Sequence, residues 1–247
     1  KNPLLYWSTN VSGTINLLEI MSLFDCNHLV FSSSATIYAL NNSLLTEESA
    51  VGPINPYGNS KLSVEILLKD IFKSQQNKIK FASLRYFNPI GAHPSGLIGE
   101  SPLGIPNNIF PIIINTANGD QEELKIYGND WPTKDGTCIR DYIHVMDLAE
   151  AHIKVLDYLI ENEPTYFNLN IGTGIGTSVL ELVKTFERVN NVKVPYVFEK
   201  RRKGDAAYVV ADNTKSIRKI KISITKNLED MCKDGWKWKN LNPKGFE

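Results

Sequence analysis

The stretch HLVFSSS, residues 28–34, decides the fold of this chain, because it is an apolar run that ends in three serines. Such a run is typical of a strand buried on both faces of a parallel sheet. Helical spacing of apolar residues from Val11 to Met21 precedes it. A second helical pattern covers residues 56–74, and the apolar run FASLRYF follows at residues 81–87. The order helix, strand, helix, strand predicts a parallel sheet with crossover helices.

The composition changes at residues 88–108, which are rich in glycine and proline and are predicted to form a loop. We place a domain boundary there, and predict one domain that ends at residue 89 and a second, α/β domain over residues 90–247. Asp147, with Glu150 three residues on, matches a capping box at the start of a helix. The elements predicted for the second domain are a helix near 108–118, the strand LKIYG, a loop to 140, a helix from about 148, a strand at 167–171, a helix at 178–188, a strand at 195–199 and a final helix with Trp236 and Trp238.

The composition excludes several classes of protein. Lysine and arginine total 27, as do aspartate and glutamate, so no wide basic field attracts nucleic acid or an anionic membrane. Three scattered cysteines form no disulfide framework, and the four histidines stand in no metal-ligand spacing. The apolar runs are far too short to span a bilayer. We therefore expect a cytoplasmic protein without a metal, nucleic-acid or membrane partner.

The stretch NPYGNSK, residues 55–61, carries the strongest chemical signal. Asn55 and Pro56 suit the cap and the first position of a helix. Tyr57 and Lys61 then lie one turn apart on one face, with about 5 to 6 Å between their Cβ atoms. A phenol titrates near ~10, and an ammonium about 4 Å away supplies the roughly 4 kcal/mol that would bring it near neutrality at an effective dielectric of about 20. Ordinary surface helices also carry such pairs, so a third group is needed.

Ser34 supplies that group from the end of the predicted strand, where open parallel sheets bind ligands. A serine, a tyrosine and a lysine in this order resemble the catalytic set of the short-chain dehydrogenase/reductase superfamily. Seven blocks in family order extend the resemblance to the UDP-glucose 4-epimerases: FSSSATIY, NPYGNSK, LRYFNPIGAHPSGLIGE, GIPNN, DGTCIRDYIHVMDLA, FNLNIGTGIGTSV and KRRKGD. The ending WKWKNLNPKGFE resembles the fungal type, in which a mutarotase domain follows.

The resemblance implies a Rossmann-like, doubly wound parallel sheet and an enzyme with tightly bound NAD, which interconverts UDP-galactose and UDP-glucose through a 4-keto intermediate. Tyr57, as phenolate, would take the proton from the sugar 4-hydroxyl, and Ser34 would help to pass it. Lys61 would lower the pKa of the tyrosine and bind the nicotinamide ribose. The implied cofactor-binding residues are Asn10, Ser32, Tyr57, Lys61 and Tyr86.

The same resemblance implies residues that grip the UDP-hexose. Arg140 and Arg202 would place charge on the diphosphate, Tyr127 a ring near the uracil, and Asp205 an acceptor near the ribose. The complete implied set is Ser34, Asn88, Asn108, Ile109, Tyr127, Arg140, Arg202 and Asp205. Taken by themselves, without the resemblance, Arg140 beside Asp141 and Arg202 near Asp205 fit surface ion pairs better.

The stretch GTGIGT, residues 172–177, imitates a dinucleotide-binding loop, but Thr177 stands where the third glycine is required. We expect a strand-to-helix turn of the substrate domain there. The family's dinucleotide loop lies between its first strand and first helix, ahead of the helix that opens this chain. The resemblance therefore implies a fragment that lacks the first strands of the sheet and has little activity alone. Family dimers often use helices near residues 11–25 and 57–74, whose outward faces the sequence leaves unassigned.

Two rival functions remain at this stage. A nucleotide-sugar 4,6-dehydratase, or another NAD-dependent nucleotide-sugar enzyme, would share the first oxidation. Dehydratases need an acid pair directly after the serine or threonine, where this chain has Ala35, Thr36 and Ile37. A noncatalytic binding module is the other alternative, and the presence of the serine, the tyrosine and the lysine argues against it. Val209 stands where the family sets the size of the sugar pocket, which leaves N-acetylated UDP-hexosamines open as substrates.

Overall fold

The structure is a computed structural model that describes residues 2–41, 43–74, 78–104 and 106–246, and the chain divides into two compact units. The first unit contains the chain up to Phe87, Glu150–Ile171 and Ala211–Ile222; the second contains Asn88–Ala149, Gly172–Val210 and the chain from Ser223. Both units are discontinuous, which differs from the predicted continuous segments 1–89 and 90–247. The reason is that a strand late in the chain pairs within the first unit.

Helices and strands alternate over most of the chain. The helices are α1 (Pro3–Tyr6), α2 (Gly13–Leu23), α3 (Pro56–Ser74), α4 (Ile109–Asn118), α5 (Val145–Glu161), α6 (Val179–Asn190), α7 (Thr214–Ile220) and α8 (Leu228–Leu241). The strands are β1 (His28–Ser34), β2 (Lys80–Tyr86), β3 (Asn88–Ile90), β4 (Leu124–Tyr127), β5 (Ile139–His144), β6 (Thr165–Ile171), β7 (Gly176–Ser178), β8 (Tyr196–Glu199) and β9 (Tyr208–Val209). None of the helices in the described part of the chain has an apolar stretch of the length that a bilayer requires.

The first unit is built on a parallel sheet with the strand order β1-β2-β6. This confirms the predicted α/β fold with a parallel sheet. The register places two rows of residues at the carboxyl end of the strands: Ser33, Arg85 and Asn170 in one row, and Ser34, Tyr86 and Ile171 in the next. Because side chains alternate along a strand, the two rows point to opposite faces of the sheet.

Helices α2 and α3 cover the face of the sheet that carries Phe31 and Phe81. The core there consists of Met21, Phe31, Val64, Leu68, Ile79 and Phe81. The predicted cap of α3 is confirmed, because Asn55 Oδ1 accepts the backbone N–H of Gly58 at 2.8 Å. Gly58 must be glycine, since a Cβ atom there would lie 2.6 Å from the carbonyl oxygen of Thr36. The turn after β1 can therefore lie directly against the start of α3.

The second unit is organised around β5, which pairs parallel to β3 and β9 and antiparallel to β7. A separate parallel pair, β4 and β8, completes its strands. The core lies among α4, α6 and α8, with Phe110 and Phe186 in edge-to-face contact. The first residues of β5 were predicted to belong to a loop, which is wrong. Arg140 and Asp141 interrupt the apolar pattern, and the partners that make this segment a strand are distant in sequence.

The predicted capping box at Asp147 and Glu150 is also wrong. Helix α5 follows β5 directly and begins at Val145, so Asp147 is already in its first turn. The Asp147 carboxylate instead accepts the backbone N–H groups of Thr225 and Lys226. Its buried charge therefore holds the segment before α8 and does not cap α5.

Two neighbouring residues of α5 test where the core of the first unit ends. Leu159 is fully buried, whereas Ile160 is 56% exposed. Leu159→Ala should lower the free energy of unfolding by about 2 to 5 kcal/mol, because it leaves a cavity. Ile160→Ala should change it by less than about 0.5 kcal/mol. Urea unfolding of the two variants measures this, and equal losses would contradict the described packing of α5.

Candidate functional site

Ser34 and Tyr57 meet at the carboxyl end of the first unit's sheet. Ser34 is the last residue of β1, and Tyr57 is the second residue of α3. The Ser34 hydroxyl lies close enough to the Tyr57 side chain to lower the pKa of the phenol. It also accepts the backbone N–H and the hydroxyl of Thr36, at 3.2 and 3.0 Å. The structure thus brings together the serine and the tyrosine that the sequence predicted to act on one substrate hydroxyl.

Lys61 lies one turn after Tyr57, on the same side of α3. Its Nζ atom lies 5.6 Å from the centroid of the Tyr57 ring and donates to the backbone carbonyl of Ser32 at 2.9 Å. Within the described residues this is the ammonium's one hydrogen bond, and an ammonium has three N–H donors. Lys61 therefore has donors to offer to a ligand at this edge of the sheet.

Burial is the largest influence on the pKa values of both Tyr57 and Lys61. Burial raises the pKa of Tyr57 above its usual value, the hydrogen bond with Ser34 lowers this pKa, and charge repulsion from Tyr6 raises it. Burial also lowers the pKa of Lys61. Burial therefore disfavours the charged form of both side chains. The causes that act on the pKa of Tyr57 in the described structure are burial, Ser34 and Tyr6, and the predicted lowering by Lys61 stays a prediction.

Of the remaining residues predicted to bind the cofactor, Ser32 and Tyr86 contact each other at the end of the sheet, whereas Asn10 contacts α3. Tyr86 is the register partner of Ser34, and its hydroxyl donates to Ser32 Oγ at 2.7 Å. Burial raises the pKa of Tyr86 to about 12. Asn10 instead donates to Ser60 Oγ at 2.9 Å, so it joins the helical segment before α2 to α3.

His152 on α5 was missed by the sequence analysis. Its Nε2 atom makes a close hydrogen bond with the Tyr86 hydroxyl, and the two rings lie edge to face with centroids 5.3 Å apart. The helical pattern of α5 carries no signal for this contact, because which helix meets the end of β2 depends on the strand order.

The glycine-rich stretch at residues 172–177 connects β6 to β7 and α6. The carboxylate of Asp141, which is fully buried, accepts the backbone N–H groups of Thr173 and Gly174 at 2.8 and 2.9 Å. It also accepts the Thr173 hydroxyl at 2.7 Å. Amide groups of this kind would have to point at a phosphate in a dinucleotide-binding loop. Here they serve the fold, and the stretch is a turn within the second unit.

A cluster in the second unit contains four residues predicted to bind UDP. The Arg202 guanidinium lies over the Tyr127 ring at 4.5 Å, and its Nε donates to Asp205 at 3.0 Å. Arg140 donates to the carbonyl of Ala206 at 2.9 Å. Burial raises the pKa of the Cys138 thiol, and the charges of Arg140, Asp205 and Arg202 also act on this pKa. A ring, two guanidiniums and a carboxylate therefore lie close together.

Three more residues that were predicted to bind the substrate lie on other elements of the second unit, namely Asn88, Asn108 and Ile109. Asn88 begins β3, and Asn108 is the residue before α4, which Ile109 begins. Burial raises the pKa of Glu100, and the side chain of Asn108 lowers it. Among the described residues, no hydrogen bond joins either asparagine to the arginines of the cluster. The structure therefore does not bring the whole predicted set into one contact network.

A parallel sheet with a serine, a tyrosine and a lysine at its carboxyl edge defines a Rossmann-like protein of the short-chain dehydrogenase/reductase class. A model of the "NAD dependent epimerase/dehydratase family" matches residues 1–172. The chain belongs to this family.

Relatives align with the chain over all or nearly all of its 247 residues. It is 47% identical over 247 residues to "UDP-glucose 4-epimerase 2" of Arabidopsis thaliana, and covers 70% of that protein. It is 48% identical over 246 residues to the UDP-glucose 4-epimerase of Bacillus subtilis, and covers 72% of it.

Two solved epimerase structures show the same fold. The enzyme of Stenotrophomonas maltophila, solved with NAD and formylated UDP-arabinopyranose, is 44% identical, with a TM-score of 0.94 over 98% of this chain and 72% of that one. The enzyme of Bifidobacterium longum, solved with NAD+ and UDP, is 40% identical, with a TM-score of 0.92 over 99% of this chain and 72% of that one.

Two substitutions should move the titration of Tyr57 in opposite directions. Ser34→Ala removes a hydrogen bond that favours the phenolate, so the pKa of Tyr57 should rise. Tyr6→Phe removes a repulsive charge, so the pKa should fall. Carbon-13 NMR of the tyrosine Cζ atoms measures both, with Tyr57→Phe to assign the resonance. Shifts of the same sign would contradict the described surroundings of the phenol.

Proposed function

We propose that this chain carries the catalytic groups of an NAD-dependent UDP-glucose 4-epimerase, which interconverts UDP-galactose and UDP-glucose. The observation that carries the proposal is the contact of Ser34 with Tyr57, one turn from Lys61, at the carboxyl end of a parallel sheet. Relatives over the whole chain, 47% and 48% identical, bear the name of this activity.

The chain's own residues would transfer the proton of the sugar 4-hydroxyl. Tyr57 Oη, as phenolate, accepts the proton of the sugar 4-hydroxyl, and returns it after the ring carbon has been reduced from its other face. Ser34 steadies the phenolate through its hydrogen bond, which favours the charged form. NAD, when bound, supplies the hydride acceptor and a positive charge near the phenol. The raised pKa of the ligand-free Tyr57 means that the chain alone holds this group protonated at neutral pH.

The residues at the end of the sheet fit a nicotinamide ribose. Lys61 has N–H donors to offer beside the carboxyl ends of β1 and β2, where Rossmann-like sheets bind cofactors. Ser32 is already engaged through both its carbonyl and its hydroxyl, and it holds Lys61 and Tyr86 in place. Asn10, which bonds to Ser60, would contribute by fixing the neighbouring helical segment.

The cluster of the second unit would hold the UDP part of the substrate. Arg140 and Arg202 supply positive charge for the diphosphate, and Tyr127 supplies an aromatic face for the base. Asp205, which already accepts from Arg202, would accept from a ribose hydroxyl. Asn88 adds a polar side chain at β3, and Asn108 and Ile109 add the start of α4, where backbone N–H groups favour an anion.

The remaining implications of the resemblance stay proposals. A cytoplasmic location agrees with the composition of the chain. Exposed apolar side chains on α2, such as Ile20 and Leu23, support a homodimer through this helix. A mutarotase domain downstream and the acceptance of N-acetylated UDP-hexosamines rest on the resemblance alone.

The reaction is tested with the protein expressed together with any residues that flank this chain. UDP-galactose should be converted to UDP-glucose with no net change in NAD. Tyr57→Phe should lower kcat by about 10²-fold or more, because it removes the proton acceptor. It should leave the affinity for UDP within about threefold of wild type, since the phenol does not belong to the UDP cluster.

Product analysis separates the rival functions. A 4-keto-6-deoxy sugar would show a dehydratase and overturn the proposal. Binding of UDP without any turnover, in protein that has been loaded with NAD, would show a binding module.

Two neighbouring arginines test the UDP cluster. Arg202 stacks on Tyr127 and pairs with Asp205, whereas Arg201 stacks on Trp131 and pairs with Asp130. Arg202→Ala should weaken UDP binding roughly 10- to 100-fold, which corresponds to a lost charge-assisted contact. Arg201→Ala should change it by less than about threefold, because its partners are not among the predicted UDP residues. Calorimetric titration with UDP measures both, and equal losses would contradict the assignment.

A further inference from the structure

A row of buried polar side chains crosses the sheet of the first unit. Ser33, Arg85 and Asn170 are register partners on β1, β2 and β6, and all three are at most 4% exposed. Each lies one residue before the row that contains Ser34 and Tyr86. The row therefore points to the opposite face of the sheet at the same end as the catalytic groups.

Helix α3 docks on this row through Glu65. The Glu65 carboxylate accepts from Arg85 twice, from Nη2 at 2.7 Å and from Nε at 3.1 Å. It also accepts the hydroxyl of Ser33 at 2.5 Å. A bidentate guanidinium–carboxylate pair fixes direction as well as distance. One residue of α3 is thus tied to two strands at once.

Further hydrogen bonds, to Tyr38 and Glu47, hold Arg85 in place. Its Nη1 atom donates to Tyr38 Oη and to the carbonyl of Glu47, both at 2.9 Å. Tyr38 donates in turn to Asn170 Oδ1 at 2.6 Å, and the backbone N–H of Asn170 donates to the Glu47 carboxylate at 2.7 Å. The guanidinium therefore has hydrogen bonds on every side, and it cannot turn without breaking several of them.

The spacing along α3 connects this row to catalysis. Tyr57, Lys61 and Glu65 stand at i, i+4 and i+8, and therefore on one side of the helix. The apolar contacts of Val64 and Leu68 hold α3 against the sheet, but apolar attraction has no direction. The contact of Glu65 with Arg85 is directional, so it sets the rotation of α3 about its axis.

We propose that Glu65 and Arg85 are positioning residues, which hold the rotation of α3 so that Tyr57 faces Ser34 and Lys61 faces the carbonyl of Ser32. This inference rests on the proposed function for the roles of Tyr57 and Lys61. Burying two charges is costly, and apolar residues of similar size often give equal or greater stability. Stability alone would not require this pair, whereas orientation does.

The first test compares turnover with binding. Glu65→Ala and Arg85→Met, in the NAD-loaded protein with any flanking residues, should lower kcat roughly 10- to 100-fold, because a displacement of about 1 Å at a reacting group has this effect. KM for UDP-galactose should change by less than about threefold. Glu65→Gln, which keeps the shape and two of the contacts, should recover part of kcat. Asp70→Asn, which removes a carboxylate from the exposed pair with Lys73 on the same helix, is the matched control and should leave kcat unchanged.

The double variant Glu65→Leu/Arg85→Met separates orientation from folding. It replaces both charges with apolar groups, so its Tm should return to within a few degrees of wild type. Its kcat should stay low, because no directional contact remains. A double variant with wild-type Tm and wild-type kcat would overturn the proposal.

A measurement that does not depend on catalysis, the titration of Tyr57 followed by NMR, tests the positioning role independently of the proposed function. The Cζ resonance of Tyr57, among ten tyrosines, reports the contact with Ser34. In the double variant the pKa of Tyr57 should rise toward that of Ser34→Ala, and in Asp70→Asn it should not move. An unchanged Tyr57 titration in the double variant would overturn the positioning role. Absence of turnover in the wild type would overturn the proposed function, and leaves the NMR comparison decisive for the pair.

Discussion

The parallel pairing of β1 with β2 is the constraint on which the site depends. It aligns Ser34 with Tyr86 and Ser33 with Arg85, and the alternation of side chains sends these two pairs to opposite faces. One face receives Ser34 and Tyr86, and the other receives the buried row on which α3, the helix of Tyr57 and Lys61, docks. A slip of one residue would exchange the two faces, which is why apolar burial beneath α2 and α3 matters so much for the chemistry.

The fate of backbone N–H groups explains why a glycine-rich stretch need not bind phosphate. At residues 172–177 the donors face a buried carboxylate that belongs to β5. Asp141 needs these donors, since an unpaired buried carboxylate would be strongly disfavoured. The same group therefore stabilises the turn and occupies the N–H groups of Thr173 and Gly174 that an anion would need. The hydrogen-bond partners of the Thr173 and Gly174 N–H groups show that this loop does not present them to a phosphate, which the spacing of the glycines alone does not reveal.

Burial acts on the tyrosine and the lysine in opposite directions. It disfavours the charged form of each, so the phenol becomes a weaker acid and the ammonium a stronger one. The pair by itself is consequently a poor base at neutral pH. Under the proposed function, positive charge from a bound cofactor would favour the phenolate and so couple proton removal to the presence of the hydride acceptor.

The sequence by itself determined the alternation of helix and strand in the first half of the chain, the bounds and cap of α3, and the identity of the serine, tyrosine and lysine. These features are local, or are carried by contiguous motifs. Only the tertiary structure decided that β6 returns to the first unit, that β5 is a strand, and that Glu65 meets Arg85. These depend on partners 20 or more positions apart, as does the pKa of Tyr57, because burial is a property of the assembled fold.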